Sequence, residues 1–280
     1  MAKKKTTQSK SDTADFSKYI RWFWILFASG IVAFVLLFLF AAWGFLGEMP
    51  DHTRLENPET NLATEIISSD NKTLGKFYFN DNRTPVGYND LPKNLVDALI
   101  ATEDIRFYDH SGIDGRGTLR AIFKLGSGGG ASTISQQLAK QLFTDQVSDN
   151  KIERLFQKVR EWVIAIRLER QYTKEEIMAQ YFNIYDFGNN GDGIRSASRI
   201  YFGKEPKDLD MKESAMLVGM FKNSSLYNPR RNPVGVHNRR NVVLAQMYKY
   251  EFISEELKDS LQATELDLKY TPESHREGIA

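Results

Sequence analysis

Two adjacent carboxylates, Glu103 and Asp104, followed by Phe107, His110 and Gly112, form a stretch whose residue types point to acid–base chemistry. Leu95, Ala98, Leu99 and Thr102 recur ahead of the pair at helical spacing, so Glu103 is expected in the last turn of a helix, at the negative end of its dipole. That setting disfavours a negative charge and suits a proton acceptor. A further carboxylate, Glu161, falls on the longest helix expected outside the membrane, from about Asp149 to Tyr172. Projected at about 100° per residue, Lys151, Arg154, Lys158 and Glu161 share one face. The apolar stripe of Ile152, Leu155, Phe156, Val159, Val163 and Ile166 takes another. A basic row is ordinarily a solvated surface, but this one terminates at a carboxylate where Ile164, Ala165 and Leu168 make the helix apolar nearly all round.

Other elements must carry these groups. Asp90 with Pro92 opens the helix that ends at Glu103, and Thr118 to Leu125 reads as a short apolar helix. Gly126 to Gly130 breaks the pattern as a flap; no strand precedes it and no Gly-Lys-Ser/Thr follows, so it is not a nucleotide loop. Beyond it, Thr133 and Gln136 have capping-box spacing at a helix start. Gln136, Gln137 and Lys140 place donors on the first turns of that helix, whose free N–H groups favour anions. Thr173 and Glu176 repeat the capping box ahead of Ile177 to Phe187, and Met211 to Phe221 is a core helix. Thr64 to Ser69 and Leu74 to Phe79 read as a hairpin. Ser69–Lys72 and Ser148–Lys151 match an SxxK pattern by chance, since no K-T-G run follows either. Arg230, Arg231, Arg239 and Arg240 form a basic region that can bind phosphates or cover a surface.

At 280 residues and 41% hydrophobic, the chain can hold one sizeable globular domain with additional segments. Its net charge of +1 gives no general attraction to nucleic acid. Without cysteine there are no disulfides or thiolate metal sites, and no histidine cluster or HExxH pattern suggests a protein-caged metal. Residues 1–19 are polar and lysine-rich and should be disordered. Trp22 to Gly47 carries no charge and exceeds the roughly 20 apolar residues that span a bilayer. Positive charge ahead of that span puts the N-terminus in the cytoplasm and the rest on the outer, periplasmic side of the cytoplasmic membrane.

In combination these segments resemble the peptidoglycan glycosyltransferases of glycosyltransferase family 51, found in class A penicillin-binding proteins and in monofunctional transglycosylases. The motifs run in family order over about residues 62 to 262. They are Glu103-Asp104 with Phe107, His110 and Gly112; Gly130 to Ile134 with Gln136, Gln137 and Lys140; and Lys158 with Glu161. Tyr181, Asn183 and Gly188 follow, then Tyr201 to Lys204, then Tyr227 to Pro229. The resemblance implies a mainly α, lysozyme-like, two-lobed glycosyltransferase domain behind a single N-terminal transmembrane helix. The chain then divides into a cytoplasmic tail (1–19), the transmembrane helix (20–47), a connector (48–63), the glycosyltransferase domain (64–262) and a linker (263–280) toward a C-terminal domain that the chain lacks.

The substrate implied is lipid II, extended into a glycan strand at the lipid bilayer, with cell-wall synthesis proteins as partners and no nucleic acid. By the same match Glu103 is the general base on the acceptor 4-hydroxyl, and attack on C1 of the donor inverts it and expels polyprenyl pyrophosphate. Such a displacement needs its two carboxylates well apart, by analogy with the roughly 6.5–9.5 Å of inverting glycosidases. Lys140, Arg154 and Lys158 would neutralise the leaving group. Ser132, Thr133, Gln136, Gln137 and Asn183 complete the expected substrate-binding set. Glu161 has three open roles: orienting the cations, positioning a divalent ion such as Mg or Mn at the pyrophosphate, or assisting the leaving group. Asp104 is open between holding Glu103 and binding sugar.

Two residues depart from the family pattern. Gln157 replaces a frequent arginine, which either leaves Arg154 or Arg160 to compensate or weakens the cationic site, and Asp186 takes a usually aromatic position. No convincing transpeptidase motif is present, so penicillin is not expected to acylate this chain. The competing readings are a lysozyme-like lytic hydrolase and a non-catalytic scaffold that binds lipid II.

Overall fold

A computed structural model describes residues 16–56, 58, 61–70, 73–78, 81–123, 130–144 and 146–273. The lysine-rich tail before residue 16, most of the glycine flap and residues 274–280 lie outside these. The first element, α1 (Ser17–Ala42), has 26 residues, and its most apolar 18-residue stretch has a mean hydropathy of 2.8. At about 1.5 Å per residue it is about 39 Å long, enough to cross a hydrocarbon core of about 30 Å. It stops at Ala42 rather than Gly47 because Gly44 and Gly47 turn the chain with φ of +84° and +121°, a conformation open to glycine. The connector then contains a short helix, α2 (His52–Glu56).

The expected hairpin forms between β1 (Thr64–Ile67) and β2 (Thr73–Phe77), antiparallel, with Glu65 opposite Lys76. That charged pair faces the protein. Glu65 accepts from Arg195 and Arg199, and Lys76 reaches Glu273 at 3.1 Å. Ile66 and Phe77 are left exposed.

All the remaining named elements are helices: α3 (Lys93–Glu103), α4 (Gly115–Phe123), α5 (Ile134–Phe143), α6 (Lys151–Gln171), α7 (Lys174–Ile184), α8 (Ile194–Phe202), α9 (Met211–Met220), α10 (Pro233–Lys249) and α11 (Glu255–Gln262). The main body is built on α9, which is buried on nearly every side and packs between α3 and α10. Leu95, Leu99, Leu217 and Leu244 are fully buried in this core, each worth about 1.5–3 kcal/mol of transfer free energy. A second packing unit sets α5 against α6 and α7. Thr173 with Glu176 and Asp210 with Glu213 form capping boxes at the starts of α7 and α9. The mainly helical expectation holds.

Two features differ from the sequence reading. Only part of the α6 stripe is core, since Ile152 is 64% and Leu155 56% exposed, while Val159 and Val163 join Ala41 of α1 in a small separate apolar cluster. Residues 263–273 pack against the domain instead of running free of it. Lys269 N–H donates to the Tyr201 carbonyl and Thr271 N–H to that of Ile200, and Tyr270 lies under the Arg230 guanidinium. Glu273 accepts from Asn82 at 2.8 Å, so the packed chain runs at least to that residue.

Candidate active site

Helix α3 ends at Glu103 because Asp104 leaves helical geometry, with φ −157° and ψ 77°. Its carboxylate turns away from Glu103. Oδ2 accepts the Ile134 N–H at 3.1 Å and lies 3.0 Å from His110 Nε2. Asp104 is therefore the anion at the α5 N-terminus, where free N–H groups and the helix dipole favour negative charge.

Thr133 and Gln136, both 1% exposed, serve the same corner. Thr133 Oγ1 accepts the Gln136 N–H and donates to the Gly112 carbonyl at 2.8 Å, and Gln136 Nε2 donates to that carbonyl at 3.1 Å. The expected capping box is therefore only half formed: the Gln136 side chain goes to Gly112, not back to Thr133. Gly112 itself has φ +89°, and a Cβ there would come within 2.8 Å of the Ala165 backbone on α6. Loop, α5 and α6 thus meet at a glycine that no larger residue can replace without a shift.

Glu103 is held from α5. Gln137 Nε2 donates to its Oε2 at 2.9 Å, and Gln137 Oε1 accepts from the Tyr181 hydroxyl at 2.7 Å. Burial, and then the nearby Glu103 charge, push the Tyr181 phenol well above its ordinary range, so it remains a donor. Glu103 borders a cavity of about 270 Å³ together with Ser132, Arg120, Arg239 and Lys249. A neighbouring cavity of about 790 Å³ is bordered by Gln137, Lys140, Arg154 and Lys158, and again by Ser132. Ser132 stands between the two.

Behind the larger cavity lies Glu161, 1% exposed. Its Oε1 accepts from Arg154 at 2.7 Å and its Oε2 from Lys158 at 3.1 Å, while Lys158 also donates to Ser132 Oγ at 2.9 Å. A carboxylate this buried is tolerated because both oxygens meet cations. Of the two arginines near Gln157, Arg154 reaches Glu161, whereas Arg160 points to the Glu48 carbonyl. Gln157 ties α6 to the loop before it, accepting from Ser148 N–H and donating to the Gln146 carbonyl.

Asn183 stands apart from this set. Its amide makes both possible bonds to the Val86 backbone, at 3.0 and 2.8 Å, and so clips the segment after the hairpin to α7. Asp186 does border the larger cavity, where its Oδ1 accepts the Gly188 N–H. Among the described residues no group of three or more acidic or histidine side chains converges as a metal site. With both Glu161 oxygens engaged, the residues present do not fit a protein-held Mg or Mn ion.

Sequence reading did not single out Arg83 and Tyr185 on the larger cavity, or Arg120 and Lys249 on the smaller one. They come singly from different elements, so no spacing marks them. Tyr185, pushed up to about 12 by burial, presents a neutral phenol there.

The family model described as Transglycosylase matches residues 70–248, more than half of the chain. Penicillin-binding protein 1A of Pseudomonas aeruginosa is 34% identical over 272 residues, covering 94% of this chain and 32% of the relative. Penicillin-binding protein 1F of Bacillus subtilis is 35% identical over 250 residues, covering 87% and 34%. The chain thus spans about a third of the length of these relatives. A crystal structure of penicillin-binding protein 1A from Haemophilus influenzae overlaps 76% of this chain and 22% of that one, at 22% identity and a TM-score of 0.43. The order of motifs, the extent of the family match and relatives above 30% identity lead to one assignment: this chain belongs to the transglycosylase family.

Proposed function

We propose that the domain polymerises lipid II into β-1,4-linked glycan strands, with the acceptor in the cavity of Glu103 and the donor pyrophosphate in the cavity of Lys140, Arg154 and Lys158. The observation that carries this reading is the pair of cations seated on buried Glu161, one cavity away from a carboxylate held by an amide. Glu103 takes the proton of the acceptor 4-hydroxyl. The freed oxygen lone pair forms the new bond to C1 of the donor, and the old C1–O bond breaks on the opposite side. Its electrons leave with polyprenyl pyrophosphate, whose growing charge the three cations neutralise. Such a leaving group needs positive charge rather than a proton, which is why the second carboxylate is buried behind cations. Of the three roles open to Glu161, orientation of Arg154 and Lys158 accounts for its partners. A hydrolase acting between two sugars has no use for this anion site.

The polyprenyl chain stays in the bilayer that α1 spans, with the N-terminus in the cytoplasm and the domain on the outer face. Fluorescent lipid II incubated with the protein should yield glycan polymer. Glu103→Gln should abolish polymer while leaving lipid II binding largely intact, because it keeps size and hydrogen bonding but removes the base. Fragments released from finished glycan, with no polymer from lipid II, would replace this reading with the lytic one.

A further inference from the structure

We infer that a third cavity, bordered by Arg54 and Arg160 beside the end of α1, is a binding site for the phosphate of an anionic phospholipid headgroup. The cavity has a volume of about 530 Å³. The inference rests on α1 crossing the bilayer and is independent of the roles given to Glu103 and Glu161.

Charge is the first ground for it. Arg83, Arg106, Arg154, Arg195 and Arg199 each meet a carboxylate. Among the described residues the side chains of Arg54 and Arg160 have no ion-pair partner, and Glu48, which borders the same cavity, pairs with neither. Asp51 accepts the Arg54 backbone N–H at 2.8 Å, which leaves the exposed guanidinium of this residue to solvent. Arg160 lies against Gly47, where a Cβ would clash with its guanidinium. The contact of its Nη1 with the Glu48 carbonyl is long, at 3.5 Å, and its Nε is buried without a partner. A guanidinium carries five N–H donors in a planar fork that matches two oxygens of a phosphate. Arg160 therefore keeps both charge and donors for a ligand.

The setting selects the kind of anion. At the end of α1 the rings of Phe40, Trp43 and Phe45 have centroids within 6.4 Å of one another, and Trp43 and Phe45 are exposed. Aromatic side chains in such a place mark the boundary between bilayer and water. Glu48 follows directly in the chain, and Leu142 and Phe143 give the cavity an apolar wall. Two cations and an apolar wall at headgroup height fit a phosphodiester with its glycerol and the start of its acyl chains, and basic groups beside a bilayer attract anionic lipid. A soluble phosphate would make no use of the wall.

The test takes the full chain in uncharged detergent doped with phosphatidylglycerol and counts retained lipid by native mass spectrometry. Phosphatidylcholine with the same acyl chains, whose own ammonium neutralises its phosphate, and inorganic phosphate are the other arms. Phosphatidylglycerol should bind saturably and both alternatives about tenfold or more weakly. Arg160→Gln and Arg54→Gln should each weaken phosphatidylglycerol about tenfold, the effect of losing a hydrogen bond to a charged group. Lys140→Gln should leave that binding unchanged. Thr144 borders both this cavity and the larger one, so lipid lodged in the substrate site would answer to Lys140 instead. If Arg160→Gln does not fold, exposed Arg54 decides alone. Binding unaltered in the folded arginine variants, or lost through Lys140→Gln alone, overturns the inference. Phosphatidylcholine held as tightly removes the charge on which it stands, and inorganic phosphate held as tightly makes this a site for soluble anions.

Discussion

Glu161 has almost no contact with solvent, yet Arg154 and Lys158, about 30% exposed, reach from it toward the larger cavity. A buried ion pair contributes little net stability, because desolvation offsets most of the attraction, whereas removing one partner of such a pair is costly. Stability and activity should therefore separate. Glu161→Gln keeps the shape and ought to leave the thermal midpoint close to that of wild type, while lipid II turnover falls at least tenfold as the cations lose their anchor. Lys158→Met leaves one oxygen of a buried carboxylate without its donor and should cost about 1–3 kcal/mol in denaturant melts, in addition to lost turnover. Equal loss of stability in both variants would contradict the assigned division of labour. The helical projection brought Arg154, Lys158 and Glu161 together because a single helix fixes their geometry. It could not show that Asp104 answers to α5, that Gln137 holds Glu103, or that Asn183 holds Val86. Those are hydrogen bonds between residues 30, 34 and 97 positions apart, set by packing and not by local pattern.

Among the elements, α7 opens at Thr173 where capping-box spacing predicts, and α9 opens at Asp210, whose box with Glu213 the structure adds. Ends set by tertiary contact or by glycine were less legible, as with α1 at Gly44 and α7, which stops at Ile184 and not Phe187. After α7 the chain forms a tight loop in which Asp186 and Asp192 pair through their backbones. Asp192 Oδ2 accepts the Asn82 N–H at 2.8 Å, joining this loop to the segment after the hairpin. Burial raises the Asp192 carboxyl above its usual range and outweighs that hydrogen bond, with Asp186 and Asp81 adding in the same direction and Arg83 opposing. Since the folded value is the higher one, this group favours the fold most at pH below the ordinary Asp value, and the advantage is lost as pH rises through the folded value. At neutral pH the charge is a cost that an amide would not bear. Asp192→Asn retains an acceptor for Asn82 and should raise the melting temperature near pH 7 by about 1–3 °C, with the gain vanishing under acid conditions. A gain that persists at low pH would point to packing instead of charge.

For the molecule as a whole, the decisive relation is between the membrane anchor and the wall of the larger cavity, since α1 packs on α6. Phe38 lies 6.0 Å from the Trp162 ring, and Arg167 Nη2 donates to the Ala42 carbonyl at 3.0 Å, capping the end of α1. One helix serves both: Arg154 and Lys158 of α6 line the cavity, while its Val159, Trp162, Val163 and Arg167 meet the anchor. The cation-lined wall of the larger cavity is thus tied to α1 through one helix. A bilayer span was legible in the sequence from length and lack of charge, but not this docking, because nothing in a run of apolar residues says which side meets protein. If docking sets the height of the cavity above the membrane, loosening it should affect only substrates that the membrane also holds. Arg167→Ala leaves the apolar contacts in place, so the protein should fold and partition into vesicles as wild type does. Turnover of lipid II embedded in the same vesicles should fall about tenfold or more, if the roughly 1.5–3 kcal/mol of one hydrogen bond to a charged donor is lost from that geometry. Turnover of a water-soluble, short-chain lipid II analogue should be unchanged. Equal losses with both substrates would place the Arg167 effect in the catalytic domain and separate the anchor from the geometry of the site.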